Sequence, residues 1–422
     1  MTWDVIVVGA GAAGLATAIF TRNRRQEASV LLLDGARKPG AKILVSGGGR
    51  CNVTNAVVAE RDYWGGPPAI VRRVLRALTV ADTVRFFADA GVALHEEHDG
   101  KLFPDSNSAR QVLDALLERA AASGVELRSS HRVSLLVKTA GGFRVATNAG
   151  ELLARRVVLA TGGMSLPKSG SDGAGYALAR ALGHTMVATT PALAPLVLSA
   201  SGEDAPATHS TWSGVSQPVI LTLRADGSVA TRQPGSMLWT HFGISGPAAL
   251  DLSRHWLRAR LEGRAAEATA NLTPDFHFES LEDFWLDQAR HRPRAMLGTI
   301  IGTKVPAAVA EGVLAALGIG QSTTLASLTR DDRRRVCHAL TAWPIPIVDS
   351  RGYNFAEATA GGIALHEIDP STMESRCCPG LYLVGEMLDV DGRLGGFNFQ
   401  WAWSSAAVAA RALSGEKRTA RF

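Results

Sequence analysis

Cysteine is scarce in this chain, with four residues in 422, at Cys51, Cys337, Cys377 and Cys378. They make no Cys-x-x-Cys pair and no zinc-ligand spacing, which excludes a secreted disulfide framework and points to a reducing cytoplasm. Long apolar runs are missing too. No stretch reaches the roughly 18 residues that a bilayer-spanning helix needs, so the chain reads as soluble, with no membrane partner. The apolar start from Val5 to Phe20 does not read as a signal peptide. Asp4 precedes it, no basic segment leads it, and Gly9, Gly11 and Gly14 interrupt it. An excess of one charge is also lacking: 44 basic against 39 acidic residues leave +5, which tolerates a polyanionic partner without demanding one. There is no internal repeat and no low-complexity tract. What remains, 46% hydrophobic and 20% charged residues with 43 glycines, is the composition of a folded protein of two or three domains.

The first 35 residues read as one βαβ unit: a β-branched run from Trp3 to Val8, a helix from Gly11 to Arg24, and a buried run from Ser29 to Asp34. Helical spacing recurs at Ala81 to Ala90 and Ser108 to Ala122. Strand-like runs follow at Val125 to Arg128, Val133 to Lys138, Phe143 to Thr147 and Val157 to Ala160. Near the C-terminus, Leu381 to Val384 reads as a short buried strand and Phe397 to Leu413 as a long helix. In between, the texture changes. Scattered prolines and alternating runs such as Val219 to Leu223 give way to Arg- and Ala-rich helical stretches from Leu281 to Ala326, which reads as an inserted domain. Its 14 basic and 14 acidic residues cancel, so the net excess lies in the flanking α/β portion.

Gly9-Ala10-Gly11-Ala12-Ala13-Gly14 follows a strand and opens a helix, and Asp34 stands 20 residues beyond Gly14 at the end of the next strand. In this fingerprint the first glycine permits a tight turn, and the second admits a pyrophosphate to bare backbone. The third lets helix and strand pack closely, while the helix N-terminus faces the anion. Asp34 is then positioned to accept hydrogen bonds from a ribose. FAD and NAD share this pattern. Two further segments favour FAD, because Val157 to Gly163 and Gly380 to Glu386 resemble strand-turn segments that two-dinucleotide flavoproteins set against it. They contribute Thr161, Gly162 and Gly163, and Gly385 and Glu386. Gly395-Gly396-Phe397-Asn398 opens the last helix, where backbone N–H groups favour negative charge on the N1 and C2 carbonyl edge of a reduced flavin.

The segment Gly40-Ala41-Lys42-Ile43-Leu44-Val45-Ser46-Gly47-Gly48-Gly49-Arg50-Cys51-Asn52-Val53-Thr54-Asn55 closely resembles the bacterial flavoprotein family described as aminoacetone oxidase-like or BaiN/RdsA-like. The likeness extends to Trp239 through Pro247, to Gly385 through Arg393, and to Gln400 through Ser405, in order along nearly the whole chain. It implies an α/β, Rossmann-like FAD-binding domain in two parts, residues 1–190 and 341–422. Residues 191–340 then form an inserted substrate domain, β-rich over about 191–260 and helical over about 265–330. It also implies bound FAD and a redox reaction. Activities attributed to members are aminoacetone oxidation, reduction of unsaturated steroid-like substrates, and dihydrouridine formation in ribosomal RNA. Asp34 stands where many relatives carry Glu.

Gly47, Gly48 and Gly49 have no side chains to hold a cofactor away from their amides. Arg50 is a candidate cation for FAD phosphate or a reduced flavin, and Lys42 for FAD phosphate, against ordinary surface roles for both. Cys51 is a candidate cofactor contact and proton donor, against a small buried hydrophobe. His241, flanked by Phe242 and Gly243, is a candidate acid in a substrate pocket or a packed interface histidine. No metal site is expected. The clusters Arg290, Arg292, Arg294 and Arg333, Arg334, Arg335 read as solvated helix faces or as RNA backbone contacts.

The reading that follows is an FAD-dependent oxidoreductase that reduces an unsaturated acceptor by hydride transfer. NAD(P)H would dock transiently as donor, because no second glycine fingerprint marks a nicotinamide domain. The alternatives are a ribosomal RNA dihydrouridine synthase, or an amine oxidase of the aminoacetone oxidase type using oxygen. The substrate is accordingly a small molecule or ribosomal RNA. Disulfide reductase chemistry fails on the spacing of Cys377 and Cys378, monooxygenase chemistry stays open, and a non-enzymatic redox-sensing module ranks last.

Overall fold

In the computed structural model the described residues are 2–199 and 208–415. The chain divides into two compact units, Met1–Thr190 with Glu357–Phe422, and Pro191–Ala356.

The first unit is built on a parallel sheet. Strand β1 (Thr2–Val8), helix α1 (Ala12–Arg24) and strand β2 (Val30–Leu33) form a βαβ unit, with β1 and β2 paired in parallel from Val5 opposite Val30 to Val8 opposite Leu33. All four residues of β2 are buried, as a strand covered on both faces requires. The strand Gly150–Leu159 lies on the other side of β1 and is paired in parallel with it. Leu381–Leu383 joins the last three residues of that strand, and Glu126–Arg128 extends β2 at the opposite edge. The first half of Gly150–Leu159 pairs antiparallel with Gly142–Thr147, which pairs in turn with Val133–Thr139. One strand therefore serves two kinds of sheet. The sequence shows only its apolar end, because Glu151 and Arg155 on the exposed side of the earlier half interrupt the apolar pattern.

The last helix, Phe397–Leu413, packs against α1, and its residues from Phe397 to Leu413 are mostly buried. Its tryptophans are anchored. Trp403 meets Phe87 edge-on at 5.5 Å and stacks on Phe399 at 5.6 Å, and Trp401 lies 6.3 Å from Tyr63. Among the described residues no helix is long and apolar enough to cross a membrane.

The second unit carries a seven-stranded antiparallel sheet in the order Trp343–Ile345, Ala266–Asn271, Ser216–Ala225, Ser228–Thr240, Gly243–Ser245, Leu196–Leu198, Ile347–Ser350. Strict alternation in Ser216–Ala225 buries Gln217, Val219, Leu221, Leu223 and Ala225 on one face. That face belongs to a core shared with the helices Pro247–Leu261, Phe278–His291, Ala307–Leu317 and Arg330–Thr341. Two differences from the sequence reading follow. The strand Ile347–Ser350 pairs with Leu196–Leu198, so the insertion is closed by its own two ends and runs to Ala356 rather than to 340. Strand and helix are also interleaved, since Pro247–Leu261 is helical and Ala266–Asn271 is an internal strand, second from the sheet's edge.

Candidate functional site

The three parallel strands β1, Gly150–Leu159 and Leu381–Leu383 all deliver their C-terminal ends to one edge of the sheet, where a doubly wound fold binds its ligand. Gly9, Thr161 and Gly385 lie just past those ends.

At the first corner the glycines have separate duties. Gly9 has φ +103°, and a Cβ on it would lie 2.5 Å from the Ala160 carbonyl oxygen. A Cβ on Gly14 would lie 1.8 Å from the Gly9 oxygen. These two glycines are required by packing. A Cβ on Gly11 meets nothing within 4 Å, so the absence of a side chain there leaves open space in front of the first turn of α1. Gly11 caps that helix with no side-chain hydrogen bond, which leaves its first N–H groups to an outside acceptor. Asp34 accepts from Ala10 N–H at 2.7 Å through Oδ2 and from Ala36 N–H at 2.7 Å through Oδ1. Its half-buried carboxylate thus pins the glycine turn and keeps a lone pair on each oxygen. Ala13 borders the other end of the site, with a Cβ on Gly385 falling 2.8 Å from its own Cβ.

The second corner is a polar cluster. Lys42 donates to Ser165 Oγ at 2.6 Å and to Glu386 Oε2, and Ser165 donates to Glu386 Oε1 at 2.8 Å. Thr359 Oγ1 accepts from Met164 N–H at 2.8 Å and Ser165 N–H at 3.1 Å. Gly163 must be small, since a Cβ on it would lie 2.4 Å from Thr359 Oγ1 and 3.1 Å from Glu386 Oε1. Gly162, with φ +73°, carries the turn, and Thr161 packs its hydroxyl against Gly175. Lys42 and Glu386 are each partly exposed, at 25% and 17%, so the pair is reachable from outside the fold.

Residues 53–55, which follow the triple-glycine segment, adjoin the start of the last helix. Gly47, Gly48 and Gly49 have φ of +55°, +68° and +86°, and a Cβ on Gly48 meets nothing within 4 Å. Asn55 Nδ2 donates to the Gly395 carbonyl at 3.1 Å, Thr54 Oγ1 donates to Gln400 Oε1 at 2.7 Å, and Trp403 Nε1 donates to the Val53 carbonyl at 2.9 Å. Gly396 has φ +91°, and a Cβ there would lie 2.4 Å from the Thr54 carbonyl. Tyr63 donates to the Phe397 carbonyl at 2.8 Å. Asn398 closes a reciprocal pair with Gly392, accepting from its N–H at 2.8 Å and donating to its carbonyl at 3.0 Å. Gly396 caps the helix with no side-chain hydrogen bond. Asn52 Oδ1, in the same segment, is buried with no hydrogen-bond partner.

Other candidates lie elsewhere. Arg50 pairs with Glu97 at 2.6 Å and rests 4.0 Å above the Phe103 ring, so its fixity comes from these two. Cys51 has φ +63° and is fully buried in the core, where burial pushes its thiol up to about 12. A proton donor at this position has to be reached through packed atoms. His241 lies in the second unit, exposed, in the turn between two of its strands and 5.2 Å from the Phe242 ring. Ser165 and Thr359 escaped sequence reasoning. The signal for Thr359 was the small-residue run Thr359-Ala360-Gly361-Gly362 within the buried strand Ala358–Ile363.

One further cluster has a structural account. His184 Nδ1 meets Glu367 at 2.9 Å, its Nε2 meets Ser375 Oγ at 2.7 Å, and Glu367 also accepts from Thr185 N–H and Oγ1. Cys377 lies close enough for a shared metal ion, yet both histidine nitrogens already have protein partners.

The residues present fit FAD. Two helix N-termini lack side-chain caps, Gly11 and Gly48 front open space, and Asn52 offers an unsatisfied acceptor.

Comparison with known proteins agrees. The family model described as "HI0933-like protein Rossmann domain" matches residues 3–412. The chain is 34% identical over 415 residues, 98% of its length and 99% of the relative's, to a ribosomal RNA dihydrouridine synthase of Escherichia coli. It is 31% identical over 408 residues, 97% of its length and 98% of the relative's, to a 3-dehydro-bile acid delta(4,6)-reductase of Clostridium scindens. Among solved structures, a flavocytochrome c3 fumarate reductase in its open conformation covers 98% of this chain and 78% of its own, with TM-score 0.51 and 18% identity, a likeness of fold.

Proposed function

This chain belongs to the HI0933-like Rossmann family and is an FAD-dependent oxidoreductase, and we propose that its acceptor is a carbon–carbon double bond conjugated to a carbonyl, in a uridine of ribosomal RNA. The observation that carries this reading is end-to-end similarity to relatives whose named substrates share that one feature. A uracil ring and an unsaturated 3-keto steroid both present an electron-poor β-carbon that accepts hydride, and both need a proton at the neighbouring carbon. Two of these three relatives, at 34% and 32% identity, are dihydrouridine synthases, and the reading follows them, while the bile acid reductase covers the chain equally at 31%.

When bound, FAD supplies the two-electron chemistry of hydride transfer. The chain does the rest. Gly9, Gly11, Ala13 and Gly14 present the uncapped start of α1 to the pyrophosphate, and Asp34 offers its remaining lone pairs to a ribose. Lys42, Ser165 and Glu386 offer a donor and acceptors to the sugar-alcohol chain, with Thr161, Gly162 and Gly163 keeping side chains out of the way. Gly47 to Gly49 and the N-terminus at Gly395 to Asn398 would hold the ring, and the helix N-terminus would favour negative charge on it. A nicotinamide nucleotide is the proposed reductant. A flipped uridine must leave any base stack before it reaches the ring, as base-modifying enzymes require.

The test is anaerobic. Purified protein is mixed with NADPH or NADH and flavin absorbance is followed, then a ribosomal RNA fragment is added and dihydrouridine is mapped. Bleaching followed by RNA-dependent reoxidation with a new dihydrouridine is the expected result. Reoxidation by oxygen alone, with aminoacetone as the only effective reductant, overturns the reading in favour of an oxidase.

A further inference from the structure

We infer that a strip of the second unit, made of residues 288–306 and 318–330, holds the phosphate backbone of the RNA substrate; this rests on the RNA reading above. The strip stands out by what its charges lack. Residues 288–306 contain Arg290, Arg292, Arg294 and Lys304, residues 318–330 contain Arg330, and neither segment holds a single Asp or Glu. The 15 acidic residues that balance the 15 basic ones over residues 191–356 all lie outside it.

The two arginine clusters seen in the sequence separate on this point. Arg333 and Arg334 reach Glu282 at 3.5 and 3.3 Å, and Arg335 reaches Asp332 at 2.8 Å, so that cluster is neutralised within the protein. Arg290, Arg292 and Arg294 are exposed and have no ion pair among the described residues. Three like charges within five residues repel one another; the nearest carboxylate in sequence, Asp287, is paired with His291 at 3.2 Å.

The strip is also held in shape. Arg290 is in the last turn of the helix Phe278–His291, and the chain then turns, with Arg292 N–H donating to the Gln288 carbonyl and Ala295 N–H to the Arg292 carbonyl. The second segment runs alongside through a bridge between Met296 and Thr324. Leu297 N–H donates to the Thr323 carbonyl, Leu325 N–H to Ala295 and Ala326 N–H to Pro293. This brings the exposed side chains of Gln321 and Ser322 onto the same element pair, adding neutral donors of the kind that contact phosphate and sugar. Guanidinium groups bind phosphate oxygens through paired N–H donors, and each phosphate neutralised releases counterions, which makes the contact readable as salt dependence.

The experiment uses full-length, FAD-loaded protein and a naked ribosomal RNA fragment with single-stranded loops. Binding is measured across a salt series for wild type and for the triple variant Arg290→Gln, Arg292→Gln, Arg294→Gln. A charge-matched control, Arg85→Gln, Arg110→Gln, Arg144→Gln, removes three exposed arginines of the other unit. The strip variant should lower the slope of log affinity against log salt by about 2 to 3, and the control by less than about 1. Flavin absorbance and the rate of NAD(P)H bleaching should not change, and KM for RNA should rise with kcat nearly constant. Equal slopes for the two variants overturn the strip, and so does equal binding to an acidic polypeptide and to RNA. If wild type forms dihydrouridine while the strip variant keeps the full slope, the strip is wrong and the reaction stands. If wild type binds RNA through the strip but reduces no uridine, the reaction is wrong and the strip stands.

Discussion

Lys42 and Glu386, 344 positions apart in the chain, meet as an ion pair that shares the Ser165 hydroxyl between them. The pair fastens the short helix Ala41–Val45 to the turn that follows Leu381–Leu383, so segments far apart in sequence are tied together at the candidate cofactor edge of the sheet.

Removing one partner strands the other. Lys42→Met leaves a half-buried carboxylate without its cation, and the expected loss is about 1 to 2 kcal/mol of stability together with weaker FAD retention, on the order of tenfold. Glu386→Gln keeps a hydrogen bond to Ser165 and should lose less. Denaturant titration of the apoprotein and calorimetric titration with FAD measure the two effects separately, and a Lys42→Met protein with wild-type FAD affinity refutes the assignment.

Two glycines of one motif should fail in different ways. Gly14→Ala drives a methyl into the Gly9 carbonyl and should cost about 3 kcal/mol or more, seen as loss of soluble protein. Gly11→Ala has φ −84° and an unobstructed Cβ, so apoprotein stability should change by less than about 1 kcal/mol while FAD affinity falls steeply. Thermal melts with and without added FAD distinguish the cases: the Gly11 variant should melt as wild type when empty and gain little from the cofactor.

Alkali should expose the buried thiols. Cys51 and Cys337 are each raised to about 12 by burial, against an ordinary value near 9. The folded form therefore holds protons that the unfolded chain releases, so this contribution is constant below about pH 9 and stability falls as pH rises from there to about 12. Urea midpoints at pH 8 and pH 10 should differ, and the difference should shrink in Cys51→Ala. The same burial predicts that iodoacetamide leaves Cys51 unmodified in native protein at pH 8 and reacts first with exposed Cys377.

Acid acts on His255. Burial, with a smaller contribution from Arg254, lowers this histidine from about 6.5 to about 3. Unfolded chain binds the proton first, so stability is intact above pH 6.5 and declines as pH falls toward 3. Replacing His255 with Gln should flatten that part of the pH–stability curve, read by denaturant midpoints at pH 7 and pH 4.5.

Much of the cofactor side was legible because its signals are local. The run Trp3 to Val8, the three spaced glycines and Asp34 specify a strand, a turn and an acceptor within 35 residues, and the structure adds only what each glycine avoids. The partners of Lys42 were not legible, since nothing in the neighbourhood of residue 42 indicates Ser165 or Glu386. The end of the insertion was hidden for a different reason. Pro344 lies within Trp343–Ile345 and Pro346 separates it from Ile347–Ser350, and both strands are too short for periodicity to register. Ala358–Ile363 lacked a strand signature because four of its six residues are alanine or glycine, and Gly361 and Gly362 approach neighbouring backbone closely.

The shared strand Gly150–Leu159 has an implication for synthesis. Its apolar end, Val157 to Leu159, waits for Leu381–Leu383, which leaves the ribosome more than 200 residues later. Until then the nascent first unit presents an unpaired hydrophobic border, a template for association with other chains. Slow translation of the intervening segment therefore favours aggregation, and a fragment ending before residue 380 should need a chaperone to stay in solution.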